Sequence, residues 1–249
     1  MVINMDFSEF NNILISAVER LRVKLNSQQT EQFYEYMKLL LEWNEKINLT
    51  AITKPNEIII KHFIDSLTIN RYIEKGSKVI DIGTGAGFPG IPLKILRDDI
   101  EILLLDSLNK RIIFLEEVIN KLNLKKVECI HARAEELGQN KNYREKYDVA
   151  VSRAVASATV LAEFMLPYVK IGGQCICMKG PKLEEELEQS QNAITILGGR
   201  IEAVEKIILP DTDMERNILI IRKETPTENS YPRKMSKIKQ SPLRLQFHI

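Results

Sequence analysis

The stretch VIDIGTGAGFPGIPL, from Val79 to Leu93, joins two different periodicities. Its opening residues, Val79-Ile80-Asp81-Ile82, form a β-branched run of the kind that builds a buried strand. Gly83, Gly85, Gly87 and Gly90 follow, and an apolar helical pattern begins near Gly90 or Ile91. Glycines at a strand-to-helix turn accept positive φ and let the backbone come close to a ligand. The free N–H groups of the helix start then face an anion. The same alternation continues downstream. EILLLD (101–106), KVECIH (126–131), YDVAVS (147–152) and QCICMK (174–179) are short apolar runs. Helical stretches over 91–97, 109–122, 158–169 and 182–197 separate or follow them. Strands alternating with helices imply a parallel sheet covered on both faces. The last two runs, RIEAVEKIILP (200–210) and RNILIIRK (216–223), have only residues 211–215 between them. That gap is too short for a crossover helix, so an antiparallel hairpin closes a sheet of seven strands.

The glycine loop admits two ligand readings. Gly85-Ala-Gly87-Phe-Pro-Gly90 matches the dinucleotide fingerprint G-x-G-x-x-G. Asp81-Ile-Gly83-Thr-Gly85-Ala-Gly87 matches D-x-G-x-G-x-G, typical of methyltransferases that use S-adenosylmethionine. Asp106, ending the second strand, suits either, because a carboxylate there accepts ribose hydroxyls. Asp81 favours the second. Its charge would repel a pyrophosphate, whereas S-adenosylmethionine brings an ammonium and a sulfonium. The Gly172-Gly173 turn, the fifth strand and the terminal hairpin follow in the order of the same fold. The expected architecture is therefore α/β: a class I S-adenosylmethionine-dependent methyltransferase fold, Rossmann-like and mostly parallel, with a terminal antiparallel hairpin.

This unit is expected over residues 74–225. Residues 1–73 are read as a helical region that precedes it. Phe7, Phe10, Leu14, Val18 and Leu21 share one helix face; a second helix is expected over 27–47 and a third over 56–72. Trp43 should pack the second helix onto the core. Residues 226–249 form a basic tail, with Arg233, Lys234, Lys237, Lys239 and Arg244 against one acid, Glu228. Such a tail is expected to stay disordered until it meets RNA. Its removal should then leave cofactor affinity intact.

The 249 residues are 44% hydrophobic, enough for a sizeable core, and the net charge of +1 excludes a polycation. RNA binding would have to use local patches. Three cysteines and three histidines are too few for a disulfide scaffold or a zinc cluster, so no metal is expected. Cys175 and Cys177 share one strand face and are expected to be buried. Asp6 and Glu9 interrupt the start where a signal peptide needs an apolar run, and no membrane span is long enough. The chain is expected to be cytoplasmic, with no membrane partner.

With these residues on view, the sequence resembles the RsmG (GidB) family of 16S ribosomal RNA guanine-N7 methyltransferases. NLTAI (48–52), HFIDSL (62–67), DIGTGAGFPGIPL (81–93), LLDSLNKRIIFL (104–115), HARAEEL (131–137), SRAVAS (152–157), MKG (178–180) and RNILIIRK (216–223) carry the likeness, in this order. YPRK (231–234) resembles the tail of longer members. The resemblance implies methyl transfer from S-adenosylmethionine to N7 of guanine 527, in the 530 loop of 16S rRNA. The substrate would be rRNA within the 30S subunit and the enzyme a monomer. It also implies cofactor contacts at Gly83, Phe88, Asp106, Ser107, Leu108, Ala134, Glu135 and Arg153, which join Asp81 and Gly85 of the loop.

Several of these residues have two readings. Phe88 covers the ligand or staples the helix start. Glu135 meets the adenine side or is the first-turn acid of a short helix. Arg153 grips a carboxylate or an RNA phosphate. No general base is evident, which suits guanine N7, an acceptor with no proton to lose. The catalytic candidates are Arg153 and, in HFIDSL, His62 and Asp65, against a plain structural role for His62. For RNA the candidates are Lys179, Lys182, Arg200, the group Lys121, Lys125 and Lys126, and in the tail Arg233, Lys234 and Lys237. Three alternatives use the same pattern: a nicotinamide-dependent oxidoreductase, a non-catalytic RNA-binding assembly factor on the same fold, and the same fold with a protein or small molecule as acceptor.

Overall fold

The computed structural model describes residues 5–153 and 155–243; Arg244 of the tail lies outside them. Seven strands form one sheet: β1 (Lys78–Ile82), β2 (Glu101–Asp106), β3 (Val127–His131), β4 (Tyr147–Arg153), β5 (Val169–Lys179), β6 (Gly199–Ile208) and β7 (Glu215–Lys223). Their order is β3-β2-β1-β4-β5-β7-β6. The first five strands run parallel, and β7 is antiparallel to both β5 and β6. The two-residue period of the strands splits the core. Val79, Ile102, Leu104 and Val151 face one layer; Ile80, Leu103, Leu105, Cys175 and Cys177 face the other.

The first layer includes the N-terminal helices. Phe10 and Leu14 of the helix Phe7–Arg20, and Phe33, Met37 and Leu40 of the helix Ser27–Ile47, share one cluster with Ile91, Phe114 and Val151. Asp6 caps the first helix and Asn26 builds a capping box with Gln29 on the second. Trp43 packs against Phe114, with ring centroids 5.7 Å apart.

The third helix differs from expectation. It is broken into an α-turn (Pro55–Ile58), a π-helix (Ile59–Ile64), a further α-turn (Asp65–Leu67) and a 3₁₀ turn (Asn70–Tyr72). The apolar pattern was legible, but a π-bulge keeps nearly the same period while it re-aims side chains, here His62. The helix expected to reach residue 169 stops at Met165 and continues as a 3₁₀ turn holding Pro167, which lacks the N–H a helix needs. The Gly172-Gly173 pair lies inside β5 rather than before it. A Cβ on Gly173 would meet the Asp148 carbonyl at 2.5 Å, and the register of β4 against β5 shifts there.

The described part of the tail, residues 226–243, is folded as well. Arg144 donates to the carbonyls of Thr227, Glu228 and Tyr231, Arg233 pairs with Glu163, and Ile238 is buried in the second layer. The expectation of a free basic arm fails because the tail carries its own anchors. Among the described residues no helix is long and apolar enough to cross a membrane.

Candidate active site

A cleft of about 460 Å³ opens at the carboxyl ends of β1, β2 and β4, where ligands of open α/β sheets bind. The glycine loop forms its floor. Gly83 and Gly85 have φ of +70° and +63°. The amides of Gly83 and Thr84 both donate to the Leu105 carbonyl, which ties the loop to β2. A Cβ on Gly85 would meet nothing within 4 Å, so this glycine faces open space. Gly87 is different. A Cβ there would strike Ile91, Leu115 and, at 2.7 Å, the Tyr36 hydroxyl. The dinucleotide fingerprint needs close ligand approach at its second glycine, and here that position is walled in. Tyr36, from the second N-terminal helix, donates to the Ala86 carbonyl and so clamps the loop from the outside.

Asp81 sits beneath the loop and not in the cleft. It is fully buried, and its Oδ2 accepts from the Thr84 hydroxyl at 2.7 Å and the Gly90 amide at 2.8 Å. Burial pushes its carboxyl up to about 7, against the pull of those two donors. Its Oδ1 has no partner among the described residues. The expected direct contact with a ligand ammonium is thus replaced by a structural one: the carboxylate fixes the strand-to-helix turn.

Asp106 does face the cleft. It accepts from the Gly85 amide at 2.9 Å and the Leu108 amide at 2.9 Å, and pairs with Arg111 at 3.1 Å. Ser107 and Ala134 line the same wall. Leu108 contributes only its N–H; its side chain points to solvent. Glu135 is buried in the first turn of the short helix Ala134–Leu137 and does not line the cleft, as the plainer reading of it had it.

The opposite wall is a polar relay. Arg153, at the end of β4, donates to the Lys61 carbonyl at 3.1 Å, to Asp65 at 3.2 Å and to His62 Nδ1 at 3.1 Å. His62 Nε2 lies 2.8 Å from the Thr50 hydroxyl. The His62 ring stacks on Phe88 with centroids 4.4 Å apart, and the Arg153 guanidinium sits 4.8 Å over the same ring. Phe88 therefore both edges the cleft and packs the wall. Burial, reinforced by the Arg153 charge, lowers His62 to about 3. Burial raises the Asp65 carboxyl against the opposing charges of Arg153 and Arg216. A smaller cavity of about 300 Å³ behind Arg153 is lined by Lys61, Asp65, Lys179 and Arg216.

The basic candidates divide by the end of the sheet on which they stand. Lys121, Lys125 and Lys126 precede β3, and Arg200 opposes Arg222 beside the start of β5. All lie at the end away from the cleft, and Arg200 is paired with Glu224. Lys179 is buried, bound to Glu186 and the Ala156 carbonyl, and so is no free phosphate contact. Arg233 is held by Glu163. Lys182, Lys234 and Lys237 are exposed; Met235, next to Lys234, lines the cleft. Thr50, Arg111, Val155 and Met235 are cleft residues that the sequence reading did not single out. Thr50 and Arg111 lie inside NLTAI and LLDSLNKRIIFL, the available signal; nothing local marks Met235.

This sheet order, with a glycine cradle after β1 and a carboxylate after β2, defines a class I S-adenosylmethionine-dependent methyltransferase fold. Solved structures agree on the fold. A putative S-adenosylmethionine-dependent methyltransferase from Methanococcus maripaludis superposes with a TM-score of 0.51 at 21% identity, covering 76% of this chain and 92% of its own. A putative transferase from Pyrococcus horikoshii gives 0.52 at 14% identity, covering 64% of this chain and 61% of its own. The family described as rRNA small subunit methyltransferase G (GidB) matches residues 29–218. Curated relatives named ribosomal RNA small subunit methyltransferase G are 52% identical in Clostridium botulinum (strain Loch Maree / Type A3) and 48% in Alkaliphilus metalliredigens, each over 95% of this chain and all of the relative. The chain belongs to this family of methyltransferases.

Proposed function

We propose that the protein transfers a methyl group from S-adenosylmethionine to N7 of guanine 527 in the 530 loop of 16S rRNA, acting on the 30S subunit as a monomer in the cytoplasm. The observation that carries the reading is the absence of a free base among the described residues of the cleft. His62 has both ring nitrogens engaged and is held neutral. Asp106 has each carboxylate oxygen held by an amide, Oδ2 by Gly85 and Oδ1 by Leu108, which pins it to the loop beside the ribose side of the cleft. Guanine N7 has an in-plane lone pair and no proton to lose, so it needs no general base; a hydroxyl acceptor would.

The cleft suits the cofactor on its own geometry. Gly85 leaves a cradle that a side chain would fill. Asp106 offers acceptors to ribose hydroxyls, with Arg111 free to yield because a third of its side chain is exposed. Ser107 and Ala134 bound the adenine side. Arg153 has five N–H donors and makes three hydrogen bonds among the described residues, which leaves donors for a carboxylate. S-adenosylmethionine, when bound, supplies a methyl carbon made electrophilic by its sulfonium. The chain's contribution is to orient the two reactants and exclude water, an effect worth up to ~7–11 kcal/mol.

The test is transfer of labelled methyl to 30S particles and to naked 16S rRNA, both lacking the modification. Borohydride and aniline cleavage, selective for 7-methylguanine, locates the label. We expect one labelled guanine in the 530 loop, lost with Gly83→Asp. That position has positive φ, and a Cβ there meets Val155 at 2.7 Å. Label on another base or atom, or none, overturns the reading.

A further inference from the structure

We propose that the Thr50 hydroxyl reads the acceptor base: it donates to guanine O6 and so presents N7, the neighbouring atom on the same edge, for methylation. This rests on the function proposed above and adds a specificity-determining contact to it.

Arg153 Nη2 lies 3.1 Å from His62 Nδ1. A guanidinium only donates, so Nδ1 carries a lone pair. A neutral imidazole then has its single proton on Nε2. That proton is donated to Thr50 Oγ1, 2.8 Å away. The Ile52 amide donates to the same oxygen at 3.0 Å. Both lone pairs of the hydroxyl are used, so Thr50 can act only as a donor. Among the described residues its proton meets no acceptor, and Thr50 lines the cleft. The relay fixes more than the proton. His62 is stacked on Phe88 of the glycine loop, and the Thr50 amide is held by Asn44 Oδ1 at 2.8 Å, so the hydroxyl is anchored to the loop and to the second N-terminal helix.

The complementary ligand follows from base chemistry. On its major-groove edge guanine presents two acceptors, N7 and O6; adenine places an amino donor where guanine has O6. A hydroxyl stripped of acceptor capacity accepts guanine and opposes adenine. A threonine with a free lone pair would take either base by rotating.

The experiment compares wild type, Thr50→Val and Thr50→Ser on 30S particles reconstituted with guanine or 2-aminopurine at the target; 2-aminopurine keeps N7 and lacks O6. Affinity for S-adenosylmethionine is measured by calorimetry. We expect Thr50→Val to lower kcat/KM about ten- to a hundredfold on guanine, the range of one base-edge contact. Cofactor affinity should stay unchanged, and Thr50→Ser should recover most of the loss. On 2-aminopurine, wild type should lose a similar factor and Thr50→Val should lose little more. If the valine variant does not fold, the fall of wild type and Thr50→Ser on 2-aminopurine carries the test. Full activity of Thr50→Val, equal losses on both bases, or weakened cofactor binding (which assigns the proton to the cofactor) overturns the proposal. Absence of wild-type transfer to guanine instead overturns the function on which it rests.

Discussion

Two buried titratable groups in the site have opposite consequences for stability. Asp81 has its carboxyl raised to about 7 by burial. Between about pH 4 and 7 the folded state keeps a proton the unfolded chain has released, so stability falls as pH rises through that window. Asp81→Asn removes this slope; in urea titrations the variant should gain on wild type from pH 5 to pH 8. His62 is lowered to about 3. Below about pH 6.5 the unfolded chain binds a proton the folded protein refuses, so stability falls as pH drops. His62→Gln should flatten that fall, read as a smaller difference between pH 7 and pH 5. Gly90 shows the packing side of the same loop. A Cβ there would press on Leu104 and on Asp81 Oδ2. Gly90→Ala should cost about 1–3 kcal/mol of stability, the usual range for overpacking.

At the scale of elements the tail has the clearest consequence. Arg233 donates to Glu163 at 2.7 Å, and Glu163 is 1% exposed. Breaking such a pair by removing one member leaves a buried charge alone, at about 3–5 kcal/mol. Arg233→Ala should therefore lower the unfolding midpoint sharply. Deleting residues 226–249 should lower both stability and cofactor affinity, because Met235 lines the cleft. This reverses the expectation of a tail that touches only RNA, and calorimetry on the truncated chain separates the two. The π-helix Ile59–Ile64 belongs to the same scale: it turns His62 toward Thr50 and Arg153 at once.

At the scale of the molecule, residues 5–73 and the sheet share one core. Phe10, Phe33 and Phe63 pack in the cluster that holds Ile91 and Val151, Thr50 and His62 line the cleft, and Tyr36 holds its glycine loop from outside. Urea unfolding should then be a single transition by fluorescence and circular dichroism alike; two transitions would show separable parts. Charge placement predicts how the chain meets RNA. Removing Lys182 and Lys237, on the cleft side of the molecule or in the tail beside it, should weaken 30S binding. It should also reduce the salt slope by roughly 0.7–0.9 per lost phosphate contact. Removing Lys125 and Lys126, at the far end, should leave both unchanged.

The strand runs, the glycine loop, Asp106 and the closing hairpin were legible because local patterning carries them. A short apolar run marks each strand, and glycine takes positive φ at the floor of the cleft at least steric cost. A six-residue gap between β6 and β7 forbids a crossover. The cysteine pair was placed on a buried face for the same reason. What local patterning does not carry is the direction of a side chain across distant segments. Asp81 reads as a ligand group, yet its distance from the cleft depends on how Gly90 and Thr84 fold over it. Lys179 and Arg233 read as free cations until Glu186 and Glu163 arrive from other helices. Thr50, His62 and Arg153 lie up to about a hundred residues apart, and only packing of the N-terminal helices on the sheet makes them one relay. The sequence by itself determined the strands, the closing hairpin and the cradle, since each follows from local patterning and backbone sterics. The tertiary structure alone decided which charges are free, which are neutralised and how the Thr50 hydroxyl is held, since these depend on partners that no local pattern specifies.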